Sequence, residues 1–143
     1  FVIAGHIFEH MKNPLRALQH WFRVLKPSGL LYLVIPDKRK IFDVDRNRTT
    51  LEHMLLDYGE PSTDRDFDHY VDYSLHVHKC HGWACVEEAR RLRDFGFSIH
   101  FHVFEPDDMV QLLKWFNDNV HSINILHGPI ESTDRDVHFL IQV

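Results

Sequence analysis

Thirteen of the 143 residues are histidine, and several stand close to carboxylates in the sequence. An imidazole with an ordinary pKa near neutrality takes up or releases a proton under physiological conditions. His6, His10 and His53 are the candidate bases on this ground. Asp43 and Asp57 can each orient an imidazole, and the Arg46 guanidinium can bind an anionic group through paired hydrogen bonds. Glu9 next to His10 has two readings, as part of a reactive cleft or as a cap on the helix that follows.

Other clusters have the residue types for metal binding. His76, His78, Cys80, His81 and Cys85 carry good zinc ligands. Their spacing matches no closed zinc motif, and on a helix His76 and His78 would point about 200° apart, so no metal is assigned there. His100 and His102 would share one face of a strand and could hold one ion between them. The alternative is that this face is covered by helices. Asp66, His69 and Asp72, three apart on a helix, read as a solvated face.

The elements that must position these groups follow from apolar spacing. Phe1 to Ala4 is a short apolar run ended by Gly5, which reads as a buried strand. Asn13-Pro14 then opens a helix over 14–25, with Leu15, Leu18, Trp21, Phe22 and Leu25 on its buried stripe. Lys26-Pro27-Ser28-Gly29 is expected to close it as a type I turn, followed by a second buried strand from Leu30 to Ile35 that stops at Pro36.

Strand, helix and strand form a βαβ unit with parallel strands and a right-handed crossover. Open α/β sheets bind ligands beyond the carboxyl ends of their strands. That rule selects Gly5, His6 and Ile7 after the first strand and Asp37, Lys38 and Arg39 after the second.

Residues 37–95 read as a helical insertion. A charged loop comes first, then a helix capped by Thr49 and Glu52 that runs to Tyr58, and two more helices over about 63–78 and 84–94. Phe97, Ile99, Phe101 and Val103 alternate with polar residues and predict a strand. Pro106 opens a helix with Met109, Leu112, Leu113 and Phe116 buried, and 122–126 and 137–143 read as two last strands around a polar turn near 132–136. Trp21, Phe22, Trp115 and Phe116 are expected in the core.

The whole is one α/β domain over 1–143. The net charge of −5 and the scattered Lys and Arg disfavour nucleic acid as a partner. No apolar run is long enough to span a bilayer, and two cysteines make no disulfide framework, which points to the cytoplasm.

The segment Phe1 to His10 with its Glu9-His10 pair, then Asn13-Pro14, Arg23-Val24-Leu25-Lys26-Pro27-Ser28-Gly29 and Leu31 to Pro36, resembles the fourth strand, following helix and fifth strand of class I S-adenosylmethionine-dependent methyltransferases. Pro36 to Arg39, Phe42-Asp43, Arg46, Thr50-Leu51-Glu52-His53, Asp57 and the stretch 100–106 are similar to one subgroup of that family. Ser28 stands where the family usually has Gly.

The resemblance implies a partial Rossmann-like sheet, fourth to seventh strands, with helices on both faces and a helical insertion. It also implies S-adenosyl-L-methionine as cofactor, with Gly5, His6 and Ile7 near it. The acceptor would be a small molecule or saccharide-like, held by Glu9, Asp37, Lys38, Arg39, Asp43 and Arg46. The Gly-rich turn that such enzymes place after a first strand is not in this sequence. The chain is therefore expected to be the C-terminal half of such an enzyme, inactive alone, with its Phe1 strand edge unpaired and open to homo-oligomer formation. The competing classes are a metal-binding or metal-dependent hydrolase domain using His100 and His102, and a non-catalytic remnant.

Overall fold

The computed structural model describes residues 1–132 and 134–143. Its elements are β1 (Val2–Gly5), α1 (Pro14–Arg23), β2 (Leu30–Pro36), α2 (Leu51–Gly59), α3 (Thr63–His76), α4 (Trp83–Phe95), α5 (Pro106–Asn119), β3 (Asn124–Glu131) and β4 (Asp136–Gln142), with single 3-10 turns at Phe8–His10 and Lys38–Lys40. Thr133, in the polar turn expected near 132–136, lies outside the described residues.

The four strands form one mixed sheet in the order β1-β2-β4-β3. β1 and β2 are parallel, Ala4 opposite Leu33, and β4 runs antiparallel to both of its neighbours. The βαβ unit is thus present. Asn13 caps α1 by accepting from the Arg16 amide, with Pro14 in the first turn. α2 starts one residue later than expected: Thr50, rather than Thr49, accepts the His53 amide. The Thr49 hydroxyl is instead held by the Val103 amide.

Two expectations fail for identifiable reasons. Residues 97–103 are extended but form no strand, because this stretch runs beyond the carboxyl end of β1, its Phe101 and His102 amides donating to the Glu9 carbonyl. The helices also do not flank both faces. The connections β1 to β2 and β2 to β3 advance the same way across the sheet, and right-handed crossovers in one direction put their helices on one side. Leu31, Leu33, Ile35, Val137, Phe139 and Ile141 on that side form the core with Leu15, Leu18 and Phe22 of α1 and Met109, Leu112, Leu113 and Phe116 of α5. On the other side Ile3, Tyr32 and Ile130 are exposed.

The turn after α1 is not type I. Ser28 has φ +63°, and Gly29 N donates to Lys26 O at 2.7 Å. With Pro27 before it, a positive φ at this position is the signature of a type II turn, which favours Gly.

A second, smaller core lies in the insertion, where Tyr70 and Tyr73 of α3 and Ala89 and Leu92 of α4 enclose Ile99 and Phe101. No helix among the described residues is long and apolar enough to cross a membrane.

Candidate functional site

The carboxyl ends of β1 and β2 lie side by side, with Gly5 opposite Val34 and the His6 amide donating to the Val34 carbonyl at 3.0 Å. His6 follows in the left-handed region, φ +51°. A side chain rarely adopts that conformation without cause, and such positions concentrate at functional sites. Gly5 is open: a Cβ built on it would meet no atom within 4 Å. Ile7 is exposed, and the 3-10 turn that follows drives Phe8 and Glu9 inward.

Glu9 is the centre of this mouth. It is 1% exposed, and among the described residues neither carboxylate oxygen has a hydrogen-bond partner. His6 Nδ1 stands 3.7 Å and His100 Nε2 3.9 Å from Oε1. Burial pushes the Glu9 carboxyl above its ordinary range, an effect only partly offset by its own backbone and the surrounding histidines. His10 turns away from helix capping: its Nδ1 donates to the Ile99 carbonyl at 2.8 Å, and its ring meets that of His100 edge-on at 4.7 Å. His6 Nε2 also lies 3.4 Å from Asp136 of β4.

Behind His100 is a buried chain of charges. Its Nδ1 donates to Asp43 Oδ2 at 2.6 Å, since a carboxylate can only accept. Arg46 Nη1 donates to Asp43 Oδ1 at 2.9 Å and to the His100 carbonyl at 2.8 Å, while its Nε donates to Asp72 at 2.6 Å. Asp43 therefore orients an imidazole as anticipated, but the imidazole is that of His100. Arg46 is spent on this network rather than displayed to solvent. Asp72 belongs to the network too, so the α3 face read as solvated is occupied; Asp66 pairs with Lys12 at 2.9 Å.

The segment after β2 is tied to itself. Asp37 is fully buried and takes three hydrogen bonds from the Arg39 side chain and one from its amide. Burial alone would raise the Asp37 carboxyl, but the Arg39 contacts together outweigh it and hold it below its ordinary range. Arg39 reaches on to Glu131 at 3.0 Å, and Lys38 Nζ donates to the Val44 carbonyl at 2.9 Å.

A second group lies apart from the first. His53 and Asp57 of α2, His69 of α3 and His102 bring their potential ligand atoms within 4.8 Å of one another, as do Glu9, His10 and His100 in the first. His100 and His102 thus do not share an ion: without a strand at 97–103 there is no common face, and each joins a different group. His76 and His78 pair with Asp72 and Glu88, and Cys80 donates to the Ser74 carbonyl and adjoins Cys85, so among the described residues the 76–85 cluster gathers into no ligand group.

A polar cleft of about 370 Å³ borders the second group, lined by Arg46, Arg48, Thr50, His53, Arg65 and His69 among others. Sequence reasoning missed His100 as a base candidate, read His69 and Asp72 as part of a solvated face, and gave Asp136 no role beyond a polar turn. The signal for His100 lay in its own motif, where it was read only as a metal ligand.

A family model described as a methyltransferase domain matches residues 1–33. No curated protein and no solved structure matches the chain. The matched span contains β1, α1 and the first part of β2, less than a quarter of the chain, and methyl transfer in general is the chemistry that this match suggests.

Proposed function

We propose that this domain takes part in S-adenosyl-L-methionine-dependent methyl transfer to a small polar acceptor, with the four strands corresponding to the fourth to seventh of a Rossmann-like methyltransferase sheet. The observation that carries the proposal is the shared mouth at the ends of β1 and β2, where Glu9 is buried without a partner beneath His6 and His100.

The residues present fit the cofactor as one wall of its cleft. Gly5 leaves its backbone open to close approach, and His6 and Ile7 are exposed at the same rim. The bound cofactor supplies an electrophilic methyl group on a sulfonium sulfur. The orphaned Glu9 carboxyl suits a neighbour of positive charge, which would favour its ionised form.

For a hydroxyl or amine acceptor the protein must align the nucleophile and remove its proton. His100 is the best-placed base, because Asp43 holds its Nδ1–H and leaves Nε2 facing Glu9 and the mouth. His10, whose Nδ1 is held by the Ile99 carbonyl, presents Nε2 beside it, and His6 guards the rim. His53 stands in the other group and takes no part in this step. Arg46 and Asp43 position the base, while Asp37, Lys38 and Arg39 shape the floor at the end of β2. A small or saccharide-like acceptor would be met at this mouth; the polar cleft beside Arg46 borders the other group and is not assigned to it.

The chain by itself supplies the acceptor side and not the glycine-rich cradle, so it is expected to transfer no methyl group alone. We place it in the cytoplasm, where the free thiols Cys80 and Cys85 stay reduced. Titration with S-adenosylhomocysteine followed by amide NMR tests the reading. This chain alone should show no saturable shifts, whereas a chain that also carries the glycine-rich half should shift Gly5, His6 and Ile7; shifts there confined to other regions, or none, would overturn it.

A further inference from the structure

His102 is completely buried, yet among the described residues its Nδ1 has no hydrogen-bond partner. Its other ring nitrogen, Nε2, donates to the Lys12 carbonyl at 3.2 Å, which fixes the tautomer and leaves the Nδ1 lone pair free. Rings at metal centres are held in this way, one nitrogen donating to a backbone carbonyl while the other ligates.

The neighbours have the same character. His53 Nε2 and His69 Nε2 face each other at 3.1 Å, although two neutral rings can share only one proton between them. Asp57 Oδ2 lies 3.0 Å from His53 Nε2 without accepting an aligned hydrogen bond, while Arg65 Nε holds Oδ1 at 2.7 Å. His53 and Asp57 are one helical turn apart on α2 and so share a face.

We propose that His53, Asp57, His69 and His102 form a four-coordinate site for a divalent transition-metal ion of the zinc class. Three imidazoles and one carboxylate are a ligand set that such an ion accepts in tetrahedral geometry. Tetrahedral ligands bound at about 2.0–2.1 Å stand roughly 3.3 Å apart. The His53–His69 pair is already at that separation, and the widest pair, within 4.8 Å, closes by a side-chain movement of about 1.5 Å. His53 and His69 also line the cleft, which gives the ion a way in.

The ligands come from α2, α3 and the stretch before α5, so a bound ion pins the helical insertion to the end of the sheet. Burial keeps His69 and His102 in the neutral form that ligation needs, each pushed down to about 3, with further lowering from the neighbouring histidines. The site is independent of the methyl-transfer reading: metal content and cofactor binding are measured separately, and either can fail without the other.

The test is dialysis of the purified protein against zinc(II) and cobalt(II), followed by elemental analysis and thermal melting. A single ion per chain is expected, with the melting temperature raised by about 8 °C at a hundredfold excess of free metal over Kd. The double variant His53→Gln/His69→Gln changes only half-buried rings, so it should fold; it should lose both the ion and the thermal shift. His10→Gln and Cys80→Ser should keep both. Absence of stoichiometric metal, its retention in the double variant, or its loss in His10→Gln would each overturn the assignment.

Discussion

His100 Nδ1 and Asp43 Oδ2 meet at 2.6 Å although the residues are 57 positions apart, one in the loop after β2 and the other in the stretch before α5. The contact spans the entire helical insertion and closes it at its base. Asp43 is fully buried, and its second oxygen is taken by Arg46. The pair thus fixes which imidazole nitrogen faces the mouth, and its geometry depends on a buried guanidinium.

Removing that guanidinium tests the dependence. Arg46→Met leaves the Asp43 carboxylate buried without its cation, and breaking a buried ion pair from one side costs about 3–5 kcal/mol. Urea denaturation should show a loss of this size. The double variant Asp43→Asn/Arg46→Met, which removes the stranded charge as well, should recover part of it.

The turn after α1 offers a gain instead. Ser28 holds φ +63°, where a residue with a Cβ is strained by about 1–2 kcal/mol and glycine is not. Glycine adds unfolded-state entropy that cancels part of the relief, so Ser28→Gly should stabilise by about 0.5–1 kcal/mol. Gly29→Ala should do the reverse, since its Cβ would come 2.7 Å from the Lys26 carbonyl oxygen. The difference between the two midpoints in one denaturant series is the measurement.

The βαβ unit was legible because its signals are local: an apolar run, an Asn-Pro start, a helical stripe and a Pro-x-Gly stop. The same spacing drew attention to Gly5, His6 and Glu9. The partners of those residues were not legible, since nothing near Glu9 in the sequence shows that residues 97–103 fold back onto its carbonyl. The alternation there does not mark a sheet: Phe97 is exposed, His102 is completely buried, and Ile99 and Phe101 join the second core. His69 was hidden for a similar reason: a polar residue among charges on a helix looks solvated until another element covers it.

Acid sensitivity follows from the buried histidines. Burial holds His69 and His102 near 3, well below the ordinary histidine value of 6.5. Between those values the unfolded chain binds protons that the folded chain does not, so stability falls as pH drops below about 6.5, by about 1.4 kcal/mol per unit for each such group. By pH 5 the loss should be about 2 kcal/mol from His102 and less from the half-buried His69. Glu9, raised by burial, has the opposite sign: its folded form retains a proton that the unfolded form has lost, so it lowers stability as pH rises. Glu9→Gln removes that opposition. Its denaturation midpoint, measured with chelator present, should therefore fall with acidification more steeply than that of the wild type.

The outer edge of β1 leads to the last expectation. Among the described residues β1 pairs only with β2, which leaves its other side a free sheet edge, and Ile3 is 65% exposed on the uncovered face next to it. An open apolar edge templates strand pairing between copies, and a charge placed on it opposes that pairing. Wild-type protein should therefore self-associate with rising concentration in sedimentation velocity, and Ile3→Lys should shift the equilibrium toward monomer at unchanged secondary structure. A wild type that stays monomeric across the accessible range would show that this edge does not pair copies of the chain.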